Sequence, residues 1–376
     1  MLGEHLEFEG ITGVGKVSLE LEPDQHIYTF IGANGVGKTK TLEALFQVLF
    51  FSNKLMKSFN VTVFDLTDIR FKKFIFPKLS VNVNVDKYEG LFVDRLHKDY
   101  FSRLEHSTPI VYLGAQSRGV IQQKQHNQKM LGSFEERRLG YFAKILSAME
   151  YNFGTLNMET SIEDWFTTLA RSSNPYQKKE DNREVEIKTV IRLLHEIDER
   201  IDPQFLEISG DDRVSLMIEG QKRELSQLSS GFTSILKLIQ AIVSGYGYFT
   251  NENNLQRVKG VVLIDEIESH LHLAWQANII PLLKRLFPNT TFYITTHSSV
   301  VLSQLKEGEA YNLYRDTDGT VKTKKIASPN KAALADILKD VFQVDINQMK
   351  LENSSVDEQQ EAKQNLLKLL KKQERK

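Results

Sequence analysis

One stretch constrains this chain more than any other: Phe30-Ile31-Gly32-Ala33-Asn34-Gly35-Val36-Gly37-Lys38-Thr39, a short apolar strand running into G-x-x-x-x-G-K-T and then into a helical run over 41–51. A polyphosphate needs many donors packed around it. Glycines at 32, 35 and 37 let the backbone turn tightly and bring N–H groups against a β-phosphate, while the helix that follows aims its N-terminus at the same charge. Lys38 is spaced to reach the β- and γ-oxygens, and Thr39 to offer its hydroxyl to Mg²⁺. A chance glycine-rich turn would lack the strand before and the helix after. The stretch therefore reads as a nucleotide-phosphate loop, with Asn34, Gly35, Gly37, Lys38, Thr39 and Thr41 as the nucleotide contacts and ATP with Mg²⁺ as the ligand pair.

Composition mostly excludes. A length of 376 residues allows two to three domains' worth of structure. A net charge of -1 gives no global pull toward nucleic acid, so any DNA contact would come from a local patch. The absence of cysteine removes disulfides, thiolate zinc sites and thiol nucleophiles, and suits a reducing compartment. The opening MLGEHLEFEG has neither a basic stretch nor an apolar core of signal type, and no apolar run approaches a membrane span. A soluble, cytoplasmic protein without membrane partners is expected.

Around the phosphate loop the pattern is α/β. Short alternating runs over 1–31 read as a β-rich start, with further strands at 61–64, 69–76 and 81–85, and a buried-type strand over 109–114 that ends in Ala115-Gln116-Ser117. From 117 to about 200 the period is helical, with helices at 134–149, 162–170 and 185–197 and a polar loop at 172–182 expected to be mobile. Two strands then flank Gly210-Asp211-Asp212. The last third alternates again: helix 232–243, strand 261–264, helix 274–286, strand 291–295, helix 298–305 and a hairpin around Asp318-Gly319. Residues 356–376 form a charged amphipathic helix that either packs on its own domain or docks a partner.

The second fixed point is Gly260-Val261-Val262-Leu263-Ile264-Asp265-Glu266. A strand buried on both faces tolerates charge only at its exit, where parallel sheets place their ligands. Asp265 is suited to holding Mg²⁺ through water and Glu266 to polarising the water that attacks a γ-phosphate. Leu228-Ser229-Ser230-Gly231-Phe232 precedes an apolar helix, which makes it either an ordinary N-cap or an anion site. A later strand ends at His297-Ser298-Ser299, one strand-helix-strand unit beyond Glu266.

In this order, residues 32–39, Gln116, Leu228-Ser-Ser-Gly231, Asp265-Glu266 and His297 resemble the Walker A, Q-loop, signature, Walker B and H-switch of ABC-type ATPase heads. The string Asp265-Glu266-Ile-Glu-Ser-His-Leu-His272 is similar to that of the bacterial OLD-like and PtuA-like (Septu anti-phage defence) group, related to chromosome-maintenance heads. The resemblance covers 1–116 and 226–345. It implies a head split into these two halves, a mixed, largely parallel sheet with an antiparallel β-subdomain, an inserted helical subdomain over 117–225, and a C-terminal helix over 346–376.

It also implies roles. Ser229, with Ser230 and Gly231, would contact the γ-phosphate held by an opposing copy, so that a homo-oligomer of head-to-tail pairs sandwiches ATP. Gln116 would sense Mg²⁺ and the attacking water, and His297 the γ-phosphate. Phe232 departs from the Gln or Glu that transporters and chromosome-maintenance heads carry there.

The group implies an ATPase that assembles with a separate effector, a nuclease or toxin, in anti-phage defence, with DNA as a further family partner. Two alternatives stand beside it, a DNA repair or maintenance head and a transporter nucleotide-binding subunit. A long arm has no room between Gln116 and Ser229. The transporter reading meets an odd Phe232 and lacks the Pro and Ser/Thr-x-Leu-Asp continuation. Asp316 and Asp318 imitate a nuclease D-x-D but sit at a hairpin tip, and the His270/His272 pair lacks carboxylate-histidine partners at zinc spacing. Basic clusters at 137–138, 178–179 and 371–376 read as solvated faces.

Overall fold

The computed structural model describes residues 5–345 and 348–349 except 78, 84–89, 120–131, 175, 179 and 343. The predicted strand end at Val85 and the C-terminal helix over 356–376 lie outside the described residues.

The chain opens with β1 (His5–Ile11), β2 (Gly15–Glu20) and β3 (Ile27–Ile31), followed by α1 (Lys38–Phe51). Short pieces come next: β4 (Val63–Asp65), β5 (Lys73–Phe76), β6 (Leu79–Asn82), β7 (Gly90–Phe92) and α2 (Val93–Leu96). β8 (Ile110–Leu113) precedes three helices, α3 (Phe134–Tyr151), α4 (Ile162–Ser172) and α5 (Glu184–Ile197). β9 (Glu207–Ile208), β10 (Val214–Ile218) and β11 (Gln221–Glu224) form a small separate sheet. The remainder is α6 (Ser230–Phe249), β12 (Val261–Ile264), α7 (Leu273–Gln276), α8 (Ile279–Leu286), β13 (Thr291–Thr295), α9 (Ser299–Leu302), β14 (Ala310–Arg315), β15 (Val321–Lys325) and α10 (Leu334–Asp340).

Ten strands make one sheet in the order β6-β5-β1-β2-β15-β14-β3-β13-β12-β8. From β14 to β8 every neighbour is parallel; β1, β2, β5 and β6 pair antiparallel at the other end. This is the mixed, largely parallel sheet that the sequence leads one to expect. Its strands read as unbroken apolar runs because each face is covered. Val261 and Leu263 of β12 face a core shared with α1 and α3, while Val262 and Ile264 face one shared with α4, α5, α6 and α8. The helices between β8 and β9 thus complete both faces of the sheet.

Several element limits move for visible reasons. The helix expected over 274–286 divides between α7 and α8, because Pro281 has no N–H and is accommodated within the first turn of a helix that restarts at Ile279. Helix α6 runs past 243 through Gly245, whose added Cβ would lie 2.5 Å from Val111 of β8, so that glycine serves close helix–sheet contact. Strand 69–76 shortens to β5, since Asp65 accepts the Thr67 N–H and turns the chain at 66–68. The loop over 172–182 is tied down in part: Asp181 accepts the Phe134 N–H, and Arg137 donates to the Asp181 carbonyl.

Candidate nucleotide site

β3 delivers the chain to the C-terminal edge of the parallel strands, and the loop over 32–37 turns it into α1. Gly32 (φ 143°) and Gly37 (φ 110°) have no room for a side chain: a Cβ would lie 2.4 Å from the Leu313 carbonyl oxygen at the first and 2.6 Å from Val14 at the second. Gly35 (φ 76°) has open space, so its need is conformational. Lys38, buried, donates from Nζ to the carbonyls of Gly32 (2.9 Å) and Ala33 (3.1 Å). Burial lowers its pKa, opposed by Asp265, Glu266 and Glu268. Thr41 is buried and returns its hydroxyl to the Gly37 carbonyl at 2.8 Å.

The adjoining strands bring oxygen ligands to the same point. Thr39 donates its hydroxyl to Asp265 at 2.9 Å, and Thr295 of β13 donates to the same carboxylate at 2.6 Å. Burial raises the Asp265 pKa against those two hydrogen bonds. Hard oxygens from a hydroxyl and a carboxylate, adjacent at a helix N-terminus, fit Mg²⁺. Glu266 follows with φ +46°, a left-handed backbone in a residue with a Cβ, and its N–H is fixed by Thr295 Oγ1 at 2.7 Å. Its carboxylate accepts from Ser269 at 3.2 Å.

Glu268, which the motif reading left without a role, is clamped to the Thr296-His297 turn. Its carboxylate accepts the Thr296 hydroxyl and the His297 backbone N–H, each at 2.6 Å. His297 itself is exposed and joins residues 32–36, the end of β14 and Val341, Phe342 and Val344 around a cavity of about 710 Å³.

Gln116 is less engaged. It is exposed, its N–H donates to the Gly154 carbonyl, and its side chain lies against Gly154. The stronger feature is two residues on. Arg118 is fully buried and donates to the carbonyls of Gly114 (2.7 Å), Asp265 (2.9 Å) and Glu266 (2.8 Å), fastening the Gln116 loop to the Asp265-Glu266 turn. Desolvation brings its pKa down to about 10. From α6, buried Lys237 donates to the Ser117 carbonyl at 2.8 Å. Nothing in a lone Arg or Lys of the sequence reveals these roles; an arginine directly after a strand-end Gln-Ser was the available signal.

Ser229 caps α6 by accepting the Phe232 N–H, and Ser229 and Ser230 are exposed while Gly231 is buried. Gly231 sits close to His272 and Trp275, where a Cβ would approach both within 3.0–3.1 Å. Among the described residues no hydrogen bond joins Ser229 or Ser230 to the phosphate loop. The structure thus gathers the residues at 32–39, Asp265, Glu266 and His297 into one site and leaves the signature serines facing solvent elsewhere.

The chain is 32% identical over 125 residues to "Septu protein PtuA" of Bacillus thuringiensis (31% of this chain, 32% of that protein). It is 37% identical over 122 residues to "Retron Ec83 probable ATPase" of Escherichia coli (29% and 22%). The matches therefore span a third or less of these relatives. Among solved structures, "Crystal structure of the SmcHead bound to the C-winged helix domain of ScpA" aligns over 87% of this chain and 98% of that one at 15% identity, with TM-score 0.45. The family described as "AAA domain, putative AbiEii toxin, Type IV TA system" matches residues 27–303. With that match covering most of its length, the chain belongs to this family of ATPase domains.

Proposed function

We propose that this chain hydrolyses ATP with Mg²⁺, that two copies pair head to tail around the nucleotide, and that the pair governs a separate effector, a nuclease, in anti-phage defence. The observation that carries the reading is Thr39 on Asp265 at 2.9 Å, which joins the phosphate loop to the acidic strand exit where a Mg²⁺-bound triphosphate would lie. In the reaction, Lys38 would exchange the Gly32 and Ala33 carbonyls for phosphate oxygens, and Thr39 and Asp265 would hold Mg²⁺. Bound Mg²⁺ supplies charge neutralisation at the β- and γ-oxygens. Glu266 accepts a proton from water as that water attacks the γ-phosphorus and the bond to ADP breaks; His297 orients the γ-phosphate. Gln116 is assigned to the metal and the attacking water once the loop closes.

The exposed serines 229 and 230 support pairing, since a second copy can bring them to a γ-phosphate. The names of the Septu and retron relatives support the defence setting. Light scattering tests the pairing. The Glu266→Gln chain with Mg-ATP should double its mass, and adding Ser229→Arg should return it to one copy with ATP still bound; an unchanged mass at saturating ATP refutes the sandwich. Purification from the native locus with ATP tests the effector: a nuclease in fixed ratio supports it, permease subunits refute it, and a bare pair retaining duplex DNA points to a repair-type head.

A further inference from the structure

A second cavity, of about 310 Å³, lies between α3, α4 and α6, and its lining differs from that of the phosphate site. Arg137 and Lys144 stand on the α3 side, Trp165 on α4, and Gln240 and Ser244 on α6. Gln240 is 4% exposed, and its side-chain amide makes no hydrogen bond among the described residues. Its amide opens on the cavity, where a ligand's donor and acceptor can pair with it.

Three further observations concern charge and space. Neither cation makes a close ion pair among the described residues, although Asp181 and Glu186 lie near Arg137 and Glu159 near Lys144: Arg137 donates to the carbonyls of Glu180 and Asp181, and Lys144 to the Thr160 hydroxyl at 3.3 Å. Between them on the same helical face is Gly140, in the interior of an 18-residue helix, where glycine is a poor former. A Cβ there would meet nothing within 4 Å, so packing does not require the glycine, and its effect is to keep the cavity open.

We infer that this cavity binds a nucleoside monophosphate, free or as the terminal unit of a strand, with the phosphate between Arg137 and Lys144 and the base edge on Gln240. The volume suits one nucleotide. A glutamine amide presents the paired donor and acceptor that a base edge requires, and two cations outside any close ion pair present the charge that a phosphate requires. The cavity shares α6 with the signature serines, so occupancy would be felt at the helix whose N-terminus is proposed to meet the opposing copy.

The test is calorimetric titration of AMP into the full chain while Mg²⁺ and excess non-hydrolysable ATP analogue occupy the phosphate loop. One additional AMP site per chain is expected, weakened by about tenfold or more in Lys144→Glu, the loss of one charge-assisted phosphate contact. Gly140→Leu fills the cavity from a position with room for it and should abolish the site, while melting at or above the parent temperature and binding the ATP analogue unchanged. Adenosine should bind far more weakly than AMP. Competition by a 5′-phosphorylated oligodeoxyadenylate would identify a strand end as the source, and its failure to compete a free nucleotide. Absence of a second site, equal AMP binding by Gly140→Leu, or adenosine binding as well as AMP overturns the proposal. ATP-analogue binding is read separately, so failure here leaves the phosphate-loop reading intact.

Discussion

Glu268 shows how one carboxylate can matter to chemistry it never touches. With both oxygens on the H-switch, one on the Thr296 hydroxyl and one on the His297 N–H, it fixes the backbone that presents the imidazole. Glu268→Gln keeps the shape but turns one of those contacts into a donor facing a donor, at a cost of about 1.5–3 kcal/mol for a hydrogen bond to a charged group. Turnover should fall by about tenfold or more while ATP affinity moves less, a kcat-against-KM split that steady-state kinetics would show; equal loss in ATP affinity would instead make Glu268 part of the binding surface.

Asp265 makes a pH prediction at the same scale. Its folded pKa is raised above the ordinary 3.8, chiefly by burial. On acidification the native carboxyl therefore takes its proton before the unfolded one does. This residue's contribution to stability rises as pH falls from the raised value toward 3.8, and is level below that. Mg²⁺-dependent ATP binding moves the other way: as pH falls it should begin to weaken before an ordinary aspartate would protonate, measured by nucleotide titration across mild acid.

At the scale of elements, the strands and the phosphate loop were legible because their signals are local. A five-residue apolar run with Gly-Lys-Thr after it, and another ending in Asp-Glu, leave little freedom for a two-sided parallel sheet. What was not legible depends on tertiary contact. Pro281 was visible, but whether it would kink one helix or restart another is settled by α8 packing on the sheet. Arg118 is an unremarked residue in the sequence, and its three short bonds to the Gly114, Asp265 and Glu266 carbonyls, with a longer one to Ile267, exist only because β8 and β12 lie side by side. Replacing it with Met should leave those carbonyls unsatisfied and cost about 3 kcal/mol or more, at ~1–3 kcal/mol for each buried orphan. Denaturant melts would report the loss; an unchanged midpoint would mean that water takes over its contacts.

For the whole molecule, the division of labour is spatial. The residues at 32–39, Asp265, Glu266 and His297 lie along the exit edge of adjacent strands, whereas Ser229 and Ser230 are exposed at the start of α6. On the proposed reading, one chain would hold ATP and a second copy would bring Ser229 and Ser230 to it. Lys237 on Ser117 and Arg118 on the Asp265-Glu266 turn link α6 to the strand exit beside the phosphate loop.

The most direct measurement of the central claim is steady-state phosphate release by the parent chain and by Glu266→Gln, each with Mg²⁺ and with EDTA, alongside ATP binding by both. The parent should release phosphate only with Mg²⁺, and the variant should bind ATP while turning it over about 10²–10⁴-fold more slowly, the usual worth of a general base. Hydrolysis by Glu266→Gln at the parent rate would contradict the assignment of Glu266 as base, and a parent chain that binds no ATP would contradict the nucleotide site itself.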